Sequence, residues 1–233
     1  MTTLEYIVNK YGLDLEQKRQ PIEIPDTTRN TFATLTHELG FTKGVEVGVE
    51  KGIYSEILLQ SNPELHLTSI DAWTAYTGYR DHVTQEECDG LLDETRKRLS
   101  PYGERSTIMK EFSAFAHKQF EDNSLDFVYI DGNHEFQHVV NDIALWSKKV
   151  KVGGIIAGHD YIKRKGGEYN MHVIPAIHGY IDAYGIRPLF VFGRKDASTN
   201  LNPEKGELRE STRSFMFVKP EPREVVPGHN QSA

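Results

Sequence analysis

From about residue 44 onward, short apolar runs rich in β-formers alternate with stretches whose apolar positions recur at helical spacing. That alternation predicts parallel strands joined by crossover helices, an α/β architecture. Seven strands are expected: Val45 to Val49, Leu65 to Ile70, Thr107 to Met109, Phe127 to Ile130, Ile155 to Ala157, Pro188 to Phe192 and Phe215 to Val218. Their continuous apolar character suits a sheet covered on both faces. The clearest helix lies between the fourth and fifth strands, where Phe136, Val139, Val140, Ile143 and Val150 repeat and Gly153-Gly154 is read as the stop.

Ahead of the sheet, residues 1–26 read as an amphipathic helix followed by a connector marked by Pro21 and Pro25. Asp26 or Thr27 is expected to cap the next helix, which carries Phe32, Leu35 and Leu39 and stops at Gly40. The polar stretch from Arg194 to Arg213 has no periodicity, so the last two strands are expected to form an antiparallel hairpin with a long loop. A tail with Pro220, Pro222 and Pro227 is expected to be disordered. The expected division is an appendage over 1–29, one domain over 30–219 and a tail over 220–233.

Composition narrows the function classes. With 38% hydrophobic and 26% charged residues among 233, the chain has material for one real core and is not of disordered type. Net charge is −7, and Lys and Arg are scattered with no basic stripe, so nucleic-acid partners are not expected and a small molecule is favoured. Cys88 is the only cysteine, which rules out an intrachain disulfide and Cys-based zinc sites. The first twenty residues lack the apolar run of a signal peptide or membrane span, so cytoplasmic residence and no membrane partner are expected.

In an open α/β sheet the ligand sits at the carboxyl ends of the strands. After the first strand comes Gly48-Val49-Glu50-Lys51-Gly52, where glycines let a backbone approach a ligand and open a helix. Asp71 ends the second strand, 71 − 48 = 23 residues after Gly48, near the spacing at which an acidic side chain accepts from a ribose.

The segments GVEVGVEKGIYSEIL, LTSIDAW, DFVYIDGNHEFQHVVNDIALW and GGIIAGHDY resemble successive motifs of class I S-adenosylmethionine-dependent methyltransferases. More narrowly, they resemble bacterial small-molecule O-methyltransferases with a D-G-x-H motif after the fourth strand. The resemblance implies a Rossmann-like, doubly wound sheet in the order 3-2-1-4-5-7-6, with the last hairpin strand antiparallel and the hairpin at the edge beside the fifth strand. It further implies that Glu46 faces the methionine amino group, that Gly48 and Gly52 frame the cofactor and that Asp71 holds the ribose. Tyr54 and Ser55 correspond to carboxylate contacts, and Glu111, Phe112 and Ser113 to adenine contacts. Glu50 stands where the fuller G-x-G-x-G motif has its second glycine.

Asp131, His134, His159 and Asp160 follow two adjacent strands, next to where a methyl group would be transferred. Two chemistries stay open. Asp131, His159 and Asp160 match the places where related metal-dependent enzymes hold a divalent cation that acidifies an acceptor hydroxyl. Alternatively His134 or His159 acts as general base. Trp73 is read as a further cofactor contact, and the aromatic run from Trp73 to Arg80 as a substrate loop, a packed lid or a contact between copies in a homo-oligomer. Lys163, Arg164 and Lys165 are read as a solvated face. A nicotinamide-dependent oxidoreductase is the rival enzyme class, though Gly48 and Gly52 fit G-x-G-x-x-G poorly. A binding module that keeps the fold without catalysis is the third reading.

Overall fold

The computed structural model describes residues 1–16, 20–24, 26–76, 84–162, 171–193 and 213–221. Thr77 to Arg80 of the aromatic run, Lys163 to Lys165, the loop before Arg213 and the expected disordered tail from residue 222 lie outside these residues.

Among the described residues, eight strands form one sheet, flanked by seven α-helices. In chain order they are α1 (Thr3–Tyr11), β1 (Ile22–Ile24), α2 (Arg29–Glu38), β2 (Lys43–Val47), α3 (Ile53–Ser61), β3 (His66–Asp71), α4 (Gln85–Leu99), β4 (Ser106–Lys110) and α5 (Ser113–Ala116). They continue with β5 (Leu125–Ile130), α6 (Phe136–Lys149), β6 (Val150–Gly158), α7 (Val173–Tyr184), β7 (Phe190–Phe192) and β8 (Ser214–Val218).

The sheet runs β1-β7-β8-β6-β5-β2-β3-β4. The seven strands expected from sequence are β2 to β8, and among themselves they keep the expected order. The pairs β2–β3, β2–β5, β3–β4 and β5–β6 are parallel, and β8 runs antiparallel to both β6 and β7. The strand count and the edge differ. Ile22–Ile24, read as connector, pairs parallel with β7, so the β7–β8 hairpin is not at the edge of the sheet. A three-residue run was too short to show in the pattern, yet Ile22 and Ile24 are buried on one face while Glu23 points out.

Two other local expectations change. Thr28, and neither Asp26 nor Thr27, caps α2: its hydroxyl accepts from Asn30 N–H at 3.2 Å. Gly153-Gly154 does not stop α6, which ends at Lys149. Both glycines lie inside β6, where Gly153 takes φ +77° and the register against β5 shifts, as at a bulge.

β5 is buried along its whole length, and its alternation divides the core. Val128 and Ile130 pack with Ile143, Trp146 and Ile177 of α6 and α7. Phe127 and Tyr129 pack with Ile7, Phe32 and Leu58 of α1, α2 and α3. The result is a helix–sheet–helix sandwich. From β2 the chain crosses to β3 on one side, while β5 lies on the other, so a crevice opens beyond Val47 where the connections diverge. Among the described residues, no helix is long and apolar enough to cross a membrane.

Candidate active site

A cleft of about 640 Å³ occupies that crevice. The backbone at its floor is locked by bonds that extend the ladder: Gly48 N–H donates to Ile70 O at 2.9 Å and Asp131 N–H to Val47 O at 2.7 Å. Gly48 has φ +86°, and a Cβ there would lie 2.1 Å from the backbone oxygen of Asp131. Only glycine fits that approach. Glu50, in the place of the missing second glycine, takes φ +55°, so the chain follows a glycine-like path with a side chain on it.

Asp71 holds the loop together. Its Oδ2 accepts from Val49 and Glu50 N–H at 2.9 and 3.0 Å, and its Oδ1 from Trp73 N–H at 3.0 Å. A carboxylate offers about four lone-pair sites, so about one remains for a ligand. Trp73 is buried with its indole N–H on Glu50 O at 2.7 Å, forming a fixed wall.

Glu46 sits at the base of the cleft, 1% exposed. Burial pushes its carboxyl up to about 8 although Ser55 donates to it. Ser55 is fully buried behind Glu46, with Ser69 at 2.8 Å, and is not part of the cleft wall. Gly52 is also outside the wall. It faces Thr95 and Arg98 and starts α3. Tyr54 lines the cleft but donates its hydroxyl to Arg29 O at 2.7 Å.

On the opposite side the wall is Glu111, Phe112 and Ser113. Ser113 Oγ donates to Asp142 at 2.5 Å and accepts from Trp146 Nε1 at 2.8 Å. Burial pushes Asp142 up to about 6 despite the serine.

The ends of β5 and β6 bring all four residues of the expected catalytic cluster together. His134 Nε2 is 2.8 Å from Asp160 Oδ2, and His159 Nδ1 lies 3.6 Å from Asp131 and 3.5 Å from Asp160. Asp160 takes φ +57°, which turns its carboxylate toward the histidines. Burial works against a charged His159, yet Asp131 and Asp160 outweigh it and push its pKa up to about 10. The reciprocal effect holds Asp160 well below the usual carboxylate range: the bonds from His134 and His159 overcome burial.

Among the described residues, Asp131, His134 and Asp160 form a set able to share a cation, with ligand atoms all within 4.8 Å of one another. The sequence expectation named His159 as the imidazole, and this set has His134 in that place. Asp131 and His134 line the cleft, whereas His159 and Asp160 stand behind them.

Sequence reading missed Arg29 and Asp142. Arg29, at the first position of α2, lines the cleft with its guanidinium 3.5 Å from Asp131 Oδ2 and 5.0 Å from the Tyr54 ring centre. A cation in a first helical turn opposes the helix dipole, and that was the available signal. Asp142 stood out less: it is an acid on the same helical face as Val139, Ile143 and Trp146.

A family model described as a methyltransferase domain matches residues 45–161. An uncharacterized protein of Acanthamoeba polyphaga mimivirus is 27% identical over 138 residues, 58% of this chain, and the match spans 57% of that relative's own length. Among solved structures, the O-methyltransferase from Bacillus cereus in complex with SAH aligns with TM-score 0.60 and 13% identity, covering 93% of this chain and 90% of that one. The O-methyltransferase TomG from Streptomyces achromogenes, described as involved in tomaymycin synthesis and in complex with SAM, aligns with TM-score 0.57 and 12% identity over 92% and 86%.

Proposed function

The chain belongs to the methyltransferase-domain family, a S-adenosylmethionine-dependent class of enzyme, and on that premise we propose that it methylates a hydroxyl oxygen of a small, non-nucleic-acid molecule in the cytoplasm. One observation carries this reading. A single cleft of about 640 Å³ has Glu46, Gly48 and Asp71 along one end and Asp131 with His134 beside them, so a donor and an acceptor can share one space. The O-methyltransferase neighbours support the acceptor class.

In this reading the cofactor lies over Gly48. Glu46 would meet its ammonium, the remaining site on Asp71 its ribose, and Phe112 and Ser113 its adenine. Holding donor and acceptor in line supplies much of the rate, because it replaces a chance encounter by a fixed one. The acceptor proton goes to the other ring nitrogen of His134, Nδ1, while Nε2 faces Asp160 at 2.8 Å, and that carboxylate steadies the imidazolium that forms. The new bond joins the acceptor oxygen to the methyl carbon as the sulfur–carbon bond breaks, leaving neutral S-adenosylhomocysteine.

The spacing of Asp131, His134 and Asp160 favours a second version. These three would hold a divalent cation, and their one imidazole and two carboxylates suit a transition metal better than magnesium. Such a cation, when bound, lowers the pKa of an acceptor hydroxyl. In both versions the test is transfer of labelled methyl from S-adenosylmethionine to a panel of phenols and aliphatic alcohols. An O-methylated product is expected. Transfer only to amines, thiols or nucleic acid would overturn the acceptor class.

A further inference from the structure

The loop that carries His134 is held from outside its own helix. Glu135 stands at the cap position of α6 and makes no side-chain cap bond to it, so the first N–H groups of that helix need other acceptors. The Phe136 N–H donates to Nδ1 of His172 at 3.2 Å. His172 itself stands at the cap position of α7, yet its side chain makes no cap bond there. Its own N–H donates back to the carbonyl oxygen of His134 at 2.9 Å. One residue of α7 therefore grips both His134 and the start of α6.

The base of that grip is firm, because Val173 is buried and Ile177 and Ile181 pack with Ile143 and Trp146 of α6. The same helix holds the neighbouring strand end. His178 Nε2 lies 2.7 Å from the Tyr161 hydroxyl, and Tyr161, 4% exposed, directly follows Asp160. Asp160 in turn meets the His134 ring at Nε2, 2.8 Å away. The ring is thus held by Asp160 and its backbone by His172. A misplacement of about 1 Å can cost on the order of a hundredfold in rate, so a tether on the backbone counts as well as one on the ring.

Resting on the methyl-transfer reading above, we propose that His172 is a positioning residue for His134. It does not line the cleft. Its bonds to the His134 carbonyl and the Phe136 N–H hold the His134 ring where that ring removes the acceptor proton or ligates a cation. An acceptor that must lose its proton on the enzyme depends on where this ring stands, whereas an acceptor already ionised in solution does not.

The test compares methyl transfer from S-adenosylmethionine to phenol and to para-nitrophenol, the second largely ionised in mildly alkaline buffer. In His172→Ala, kcat on phenol should fall roughly tenfold or more, the usual cost of losing a partner that orients a functional imidazole. The rate on para-nitrophenol, the KM for S-adenosylmethionine and the affinity for S-adenosylhomocysteine should stay near wild type, which also shows that the variant is folded. His172→Asn, whose amide oxygen can stand where Nδ1 stands, should recover most of the phenol rate. His172→Leu keeps bulk without an acceptor and should repeat the loss on phenol alone, and it carries the test should the Ala variant not fold. Equal loss on both acceptors, no loss on either, or an Asn variant no better than Ala overturns the role of His172 alone. A wild type that methylates neither acceptor nor any alcohol of the panel overturns the hydroxyl-acceptor reading and this inference with it.

Discussion

The missing side chain of Gly48 and the backbone of Asp131 occupy the same space: a Cβ on the glycine would stand 2.1 Å from the Asp131 carbonyl oxygen. The turn that receives the donor and the strand end that receives the acceptor are therefore one packed unit. Gly48→Ala must move Asp131 as well as strain a residue at φ +86°, at a combined cost of about 2 kcal/mol or more. Urea unfolding should show that loss, and S-adenosylhomocysteine binding should fall with it. A variant of wild-type stability would contradict the close approach.

Asp71 accepts three backbone N–H groups, so its removal should be felt before any ligand arrives. Asp71→Ala is expected to lower stability by about 2 kcal/mol, since three backbone donors lose a charged partner, and to weaken S-adenosylhomocysteine binding as well. Thermal unfolding without ligand is the deciding measurement. An unchanged midpoint with lost binding would mean that Asp71 serves the ribose alone.

Burial raises the Glu46 carboxyl to about 8 in the folded protein, above its ordinary value of 4.5. A raised acid contributes stability that is complete below the unfolded pKa and is lost as pH rises through the folded one. Wild type should therefore lose stability between about pH 4.5 and 8 from this group, with a slope of at most about 1.4 kcal/mol per pH unit. In Glu46→Gln that part of the slope should vanish. Parallel pH profiles for the two proteins would show that Glu46 is not buried as the neutral acid.

The cluster of Asp131, His134 and Asp160 separates the two versions of proton removal. If a cation is held there, Mn²⁺ should bind wild type calorimetrically and fail to bind Asp160→Ala, and chelator should stop turnover. If His134 is the base, chelator should have no effect and His134→Ala should cost on the order of a hundredfold in turnover. An active His134→Ala enzyme indifferent to chelator would contradict both.

The parallel part of the sheet was legible because β5 is buried along its whole length and β2, β3 and β6 carry closely spaced buried apolar positions, Val45 and Val47, Leu67 and Ile70, and Ile155 to Ala157. β1 was not, because three residues beside a proline carry too little period, and its partner β7 lies far along the chain. Glycine inside β6 misled for a physical reason: Gly153 serves a bulge where the pattern suggested a helix stop. At the site, strand-end position correctly brought Asp131, His134, His159 and Asp160 together, but it could not say that His159 lies behind the wall and His134 on it. Arg29 lay outside every motif because it comes from a helix that precedes the first strand to carry one.

The central claim is that the cleft holds S-adenosylmethionine, and it is tested most directly by mass spectrometry of the small molecules retained by the purified, unsupplemented protein. The account predicts S-adenosylhomocysteine or S-adenosylmethionine, displaced by an excess of either and absent from Gly48→Ala. A nicotinamide nucleotide in their place would contradict it.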